Sequence, residues 1–324
     1  MTIIVEMIRF LLTRGHGYTV KAVRRAAPFR VRVMQYDRLL RARWLWDASY
    51  VFSDLDRLSF NDLDIAAELF QQMRCRGVKV WNDPAKVKSR YALLRALHTA
   101  GINDFNAHRA DELVEMIRYP VFLRKTKDHR YPLTDLLADR TALDQAIQRA
   151  VAAGVPLEHL MVIEYAAEPV RPGVFRKLSA FRIGSLIVPH NNVHDSQWLV
   201  KYGRILGTIE DLYLEEREML DSNPFADTLR KAFDIAHVEY GRADFGIFHG
   251  RPQIYEINTN PYVGAPSPHP SATRAGNVQR AWEMYLQALG RLDQQRRRPV
   301  QLADGAVQPK RCRKNRWFRT RPVP

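Results

Sequence analysis

The sequence has little of what would place it outside an ordinary folded interior. Cys75 and Cys312 are its only cysteines and lie far apart in 324 residues, which supports neither a disulfide framework nor a cysteine zinc site. No apolar run approaches the roughly 18 residues of a membrane helix, because arginines interrupt every candidate stretch. The opening MTIIVEMIRF carries Glu6 inside its apolar stretch and does not read as a secretory signal. A soluble chain in a reducing cytoplasm, with no membrane partner, is therefore expected. DFGIF contains a kinase-like triplet, but the glycine-rich, valine-alanine-lysine and catalytic-loop signatures are missing. A G-x-S-x-G elbow is missing too.

Acid is also in short supply, with 35 Asp and Glu against 50 Lys and Arg and a net charge of +15. Much of the excess is local. Residues 291–324 hold eleven basic side chains against Asp293 and Asp304. Their segments RLDQQRRRP and QPKRCRKNRWFRTRPVP have no apolar period to bury, so a basic flexible tail is expected. Removing 300–324 should then leave folding and turnover intact. Nucleic-acid contact is expected only through this tail, whose basic and aromatic residues interleave. Arg24, Arg25, Arg30, Arg32, Arg38, Arg41 and Arg43 make the early chain basic as well, and they read as a solvated face in preference to a binding surface.

What remains is a globular α/β composition, 46% hydrophobic and 26% charged, of a length that suits two domains or one elaborated domain. VRVMQY (31–36), SYVF (49–52) and VKVW have strand character. Ser59, with Asp62 three residues on, starts a helix that buries Ala66, Leu69, Phe70 and Met73 and ends at Gly77. Asn82, Asp83 and Pro84 mark a turn and boundary. Beyond it the pattern predicts a helix burying Leu93, Leu94 and Leu97, the strand VFLRK, a helix over 141–153 starting at Thr141, the strand LMVIEY, and two strands turning at Gly184 and Ser185. Two helices split by Pro224 follow. PHNNVHDSQW places His190 and His194 four apart, but Asn191 and Asn192 favour a turn, so no zinc site is assigned. DLYLEERE (211–218) reads as a solvated helix face, and Asp54 and Asp56 as capping or surface charge unless they meet a second substrate at a strand end.

The densest signal is GRADFGIFHGRPQIYEINTNP, residues 241–261. It reads as a hairpin whose second strand puts Glu256 and Asn258 on one face, because side chains repeat every two residues. Asp244 joins them only if its partner across the hairpin is even-numbered. Pairing 249 with 253 around a loop of Gly250, Arg251 and Pro252 would set Asp244 opposite Asn258. An even-numbered loop would turn it away. Two carboxylates and an amide oxygen on one face are hard ligands suited to Mg²⁺ or Mn²⁺. On spacing alone, exposed acids at a strand end are the alternative.

The Arg-x-Asp strand followed by a Glu-x-Asn strand resembles the metal-binding end of the ATP-grasp superfamily, which includes D-alanine–D-alanine ligase, glutathione synthetase and the ribosomal-protein glutamate ligases. The likeness runs from about Val31 to about Tyr285. It implies an α/β (α+β) ATP-grasp fold with an N-terminal α/β pre-ATP-grasp domain over 1–83, the ATP-grasp domain over 84–290 and a tail over 291–324. It implies ATP as cofactor, with Asp244, Glu256 and Asn258 holding Mg²⁺ and Arg242 facing the acyl phosphate and tetrahedral intermediate. Backbone around Glu164, Tyr165 and Ala166 would read the adenine edge, with a carboxylate nearby for the ribose. Lys88, Arg90, Arg124, Lys125 and Lys177 would contact the nucleotide phosphates.

One feature departs from that family. The stretch TKDHRYP has no glycine where the family carries a glycine-rich loop, so Lys127, His129 and Arg130 would have to substitute for backbone contacts. The implied reaction joins a small-molecule or peptide carboxylate to an amine through an acyl phosphate. A phosphotransferase on the same fold, or a nucleotide-binding interaction protein with a nucleic-acid-contacting tail, are the alternatives, and association as a homodimer is left open.

Overall fold

The computed structural model describes residues 7–46, 48–112, 116–127, 131–201, 203, 209–292 and 299–302. The chain opens with β1 (Met7–Leu12), α1 (Lys21–Ala26), β2 (Arg30–Gln35), α2 (Tyr36–Leu39), β3 (Trp44–Leu45), β4 (Ser49–Phe52), α3 (Phe60–Cys75) and β5 (Val80–Trp81). A four-stranded parallel sheet results, in the order β2-β1-β4-β5. Such a sheet needs cover on both faces. One cover is α3, which starts where Ser59 accepts a hydrogen bond from the Asp62 amide at 3.1 Å and buries Ala66, Leu69, Phe70 and Met73 against Tyr50 and Phe52. The other comes from far along the chain. Ile8, Phe10 and Leu12 pack with Phe181, Tyr240, Tyr285 and Leu289 in one core.

The turn at Asn82 is a joint between these parts. Asn82 is fully buried in left-handed conformation, with φ of 64°. Its amide group donates to the carbonyls of Phe52 and Tyr240 and accepts from the amides of Glu239 and Tyr240. All four bonds of this side chain are satisfied between two sheets, which fixes their relative placement.

Beyond the joint lie α4 (Arg90–Thr99), β6 (Ala107–Arg109), β7 (Val121–Lys125), α5 (Arg140–Ala152) and β8 (Leu160–Glu164). They form an antiparallel sheet of order β6-β8-β7, with Val121, Leu123, Leu143, Leu160 and Val162 between sheet and α5. The cap of α5 is Asp139, two residues before the expected Thr141, because its carboxylate accepts from the Ala142 amide at 2.8 Å. The larger antiparallel sheet is made of β9 (Pro169–Arg171), β10 (Val174–Ile183), β11 (Leu186–Asp195), β12 (Tyr240–Phe248) and β13 (Arg251–Asn258). Its order is β11-β10-β12-β13, with β9 on β10, and α6 (Glu210–Ser222), α7 (Ala226–Ala236) and α8 (Ala272–Gly290) pack on it.

Two local expectations are corrected here. The PHNNVHD stretch is strand, since β11 pairs with β10 as far as Asp195 and a bulge between Lys177 and Ser179 absorbs the register change. The acidic run on α6 is not wholly solvated. Glu216 is fully buried, where it accepts from the Asn192 amide at 2.7 Å and pairs with Arg274.

The expected start of the tail is also corrected. β14 (Val300–Gln301) pairs antiparallel with β3, the Leu302 amide donates to the Arg43 carbonyl at 2.8 Å, and Leu302 is fully buried in the α3 core. The rest of the anticipated tail, 303–324, lies outside the described residues. Ending the chain before Val300 should therefore destabilise it, whereas ending it after Leu302 should not. Leu302→Ala should cost about 2–4 kcal/mol, measurable by urea denaturation. Among the described residues no helix is long and apolar enough to cross a membrane.

Candidate active site

The hairpin satisfies the parity its chemistry needs by a route other than the expected loop. His249 and Gly250 alone form the turn, both at positive φ (50° and 72°), and Phe248 pairs with Arg251. That two-residue loop would turn Asp244 away from Glu256. A bulge between Asp244 and Phe245 inserts Tyr255 as an extra residue and reverses the parity, so Asp244 pairs with Glu256 and Arg242 with Asn258. The expected Asp244–Asn258 pairing is thus displaced by one pair along the ladder. Tyr255 lies across Gly246, where a Cβ would sit 2.2 Å from its hydroxyl oxygen. A side chain at 246 would require the Tyr255 ring to move.

Four strands then present one polar row. His190 pairs with Ser179, Ser179 with Asp244, and Asp244 with Glu256. Asp244 is 4% exposed and is held between two cations. The Arg242 guanidinium donates to it through Nε at 2.7 Å and Nη2 at 3.2 Å, and Lys177 Nζ stands 3.1 Å away. Glu256 pairs with Arg90 from the first turn of α4. Asn258 Oδ1 accepts from the Asn260 amide at 2.7 Å. Burial opposes the charge on Arg242, but the adjacent Asp244 carboxylate outweighs it and raises the arginine's pKa. Burial, reinforced by repulsion from Arg242 and Arg274, holds His190 down to about 3. Its neutral imidazole adds no charge at physiological pH.

A cleft of about 1070 Å³, counting its open mouth, leads from this row to the smaller sheet. Arg124, Lys177, Tyr165, Ala166, Asp244 and Glu256 line it. Its far wall includes Trp198, packed on Phe122 and Tyr165 with ring centroids 5.1 and 5.6 Å away. Strand alternation puts Phe122 and Arg124 on the cleft side of β7. Lys125 is therefore on the opposite side, outside the cleft. Lys88 is anchored through its backbone amide to Ala236 at 3.1 Å, and its side chain is not part of the cleft wall.

The stretch from Glu164 to Ala166 is partly occupied by the protein's own bonds. The Glu164 carboxylate turns inward, accepting from His108 Nε2 at 3.0 Å and from the amides of Asn106 and Arg118 at 3.0 and 3.2 Å. The Tyr165 amide donates to the Pro120 carbonyl. The Ala166 carbonyl accepts from the Tyr255 hydroxyl at 3.2 Å. Among the described residues no hydrogen bond engages the amides of Ala166 or Ala167, and both residues line the cleft. Glu168 also lines the cleft, with one oxygen accepting from the His249 amide at 3.1 Å.

Burial raises the Glu164 pKa, but the bonds from His108, Asn106 and Arg118 prevail and hold it near 2. The sign follows from this depression. The stabilisation is complete above the unfolded carboxyl value and disappears as pH falls through about 2. Glu164→Gln should lower the midpoint of thermal unfolding at pH 7, with the gap to the parent protein closing as pH approaches 2.

Asp54 proves to be a structural pin. It is buried, with φ of 55°, and accepts from the Thr13 amide and hydroxyl at 3.0 and 2.9 Å and from Asn260 Nδ2 at 2.7 Å. It thereby joins the end of β1 to the loop after Asn258. Asp56 is exposed. His129 and Arg130 lie outside the described residues, and Lys127 packs its ammonium over the Phe60 ring at 4.8 Å. Trp198, expected from the sequence to pack against the nucleotide domain, does pack on Phe122 and Tyr165, whereas Tyr255 belongs to no spaced motif and was missed as a wall residue. The adjacency of Tyr255 to Glu256 was the only available clue.

No family model and no curated protein matches the sequence. Solved structures do resemble its fold. The D-alanine–D-alanine ligase from Bacillus anthracis is 11% identical, with a TM-score of 0.51 over 89% of this chain and 98% of that one. The same figures hold for that ligase complexed with ATP. A RimK domain protein ATP-grasp from Sphaerobacter thermophilus DSM 20745 is 13% identical, with a TM-score of 0.48 over 89% of this chain and 100% of that one. The chain has the ATP-grasp fold.

Proposed function

We propose that the protein is an ATP-dependent ligase that joins a carboxylate to an amine through an acyl phosphate. The observation carrying this reading is the convergence of Asp244, Glu256, Asn258, Arg242 and Lys177 on one sheet face at the end of a cleft between two sheets. The B. anthracis structure complexed with ATP shares the fold and supports the choice of nucleotide.

The donor set fits Mg²⁺ or Mn²⁺. It consists of oxygens alone, and its acids are already balanced by Arg90, Lys177 and Arg242, side chains long enough to turn toward phosphates. A bound Mg²⁺ would supply charge neutralisation on the ATP phosphates, held by Asp244, Glu256 and Asn258. The chain's own residues do the rest. The Ala166 and Ala167 amides read the purine edge beside Trp198, and Glu168 faces the ribose. Arg124 and Lys177 meet the phosphates. The substrate carboxylate attacks the γ-phosphoryl group and ADP leaves. An amine then attacks the carbonyl, Arg242 stabilises the oxyanion, and phosphate departs. Lys88 and Lys125 have no part in this scheme.

The test is a screen of carboxylate and amine pairs for Mg²⁺-dependent ADP formation, followed by mass spectrometry. An amide product is expected. A phosphate ester would make the protein a phosphotransferase, and absence of ADP formation together with absence of nucleotide binding would leave the interaction-protein reading.

A further inference from the structure

Away from the cleft, the N-terminal sheet carries a groove that the ligase chemistry does not use. Arg9 from β1, Arg30 and Arg32 from β2, Arg24 from α1 and Arg38 from α2 line it together with Trp46, which is 64% exposed. Register explains the clustering. Arg9 pairs with Arg32 on adjacent parallel strands and Arg30 pairs with Met7, so three guanidinium groups leave one sheet face. The strands are about 4.8 Å apart and the two β2 arginines about 6.6 Å apart along the chain. The same face is covered by α3 further along, where Leu11 and Met34 enter the core. Among the described residues none of the five arginines forms an ion pair, and β2 is an edge strand. Five cations that form no ion pair among the described residues repel each other across one groove, a cost that a polyanion would relieve.

We propose that this groove binds a single-stranded nucleic acid. Planar guanidinium forks match phosphate oxygens, and an exposed indole beside them provides a face for a base. β14 pairs with β3, and the Leu302 amide is bonded to Arg43, only three residues before Trp46. The sequence that follows, QPKRCRKNRWFRTRPVP, is basic with an aromatic pair, Trp317 and Phe318. Neither this basic segment nor a second copy of the basic chain is a complementary occupant. A peptide of aspartate and glutamate alone would satisfy the arginines but offers no ring to the indole. The inference does not depend on the ligase reading.

Fluorescence anisotropy with the full chain and labelled 20-nucleotide RNA and DNA single strands of one sequence tests it. Binding should weaken with salt. Arg30→Glu with Arg32→Glu should reduce affinity at least tenfold and flatten the logarithmic salt dependence by about 1.4, at about 0.7 per phosphate contact. Trp46→Ala should weaken binding about fivefold or more with little change in that slope. Arg24→Gln with Arg38→Gln serves as a second pair on different elements, in case the first variant misfolds. A difference between RNA and DNA would identify the preferred sugar, with binding to either supporting the groove. Parent-like affinity in both arginine pairs would move binding elsewhere and overturn the proposal. So would displacement of the oligonucleotide by polyglutamate of equal charge at equal concentration, in favour of an acidic peptide.

Discussion

Replacing Arg242 with alanine should lower the rate of the chemical step by roughly 10²-fold or more, with a smaller effect on nucleotide affinity. The guanidinium already binds Asp244 through two nitrogens and reaches the Tyr262 carbonyl through Nη1 at 3.3 Å. Its position is therefore fixed before any substrate arrives, which is what oxyanion stabilisation requires. Arg242→Lys should recover little, because an ammonium keeps the charge but loses the fork that sets its direction. Single-turnover measurements with a matched carboxylate and amine separate chemistry from binding. A chemical rate unchanged in Arg242→Ala would remove the arginine from the mechanism while leaving the nucleotide site in place.

Changing Asp244 and Glu256 together to alanine should weaken Mg²⁺-dependent ATP binding by about tenfold or more, as expected for charge-assisted contacts. Isothermal titration with and without the metal provides the comparison. In the parent protein Mg²⁺ should strengthen binding. In the double variant that dependence should vanish, and without metal the variant should bind at least as well as the parent, since two carboxylates no longer repel the phosphates. Removing Asp244 also strips Lys177 and Arg242 of their buried partner. Asp244→Asn with Glu256→Gln, which keeps the side-chain shapes, separates loss of charge from loss of packing. Equal affinity with and without Mg²⁺ in both proteins would reject the metal assignment.

The two predictions rest on residues whose grouping was legible to different degrees. Glu256 and Asn258 share a face by strand periodicity alone. Helix α3 was equally plain, because its Ser59 cap and its buried stripe lie within one local segment. Lys125 and Arg124 were indistinguishable as neighbours in VFLRK until β7 acquired a covered side, and alternation then sent only Arg124 to the cleft. Lys88 and Arg90 flank the cap of α4 in the same way, yet only Arg90 reaches Glu256.

The sequence by itself determined the donor chemistry, the strand and helix periods and the resemblance to the ATP-grasp pattern. These depend on residue type and on spacings of a few positions. Tertiary structure alone decided the hairpin register, where a two-residue turn and the Tyr255 bulge cancel each other's effect on parity. It also decided that Leu302 ends in the N-terminal core and that the Glu164 carboxylate is bound by His108 and the amides of Asn106 and Arg118. Each of these outcomes depends on which surface lies opposite, and that surface is supplied by residues tens to hundreds of positions away, whose packing outweighs the local preferences of the chain.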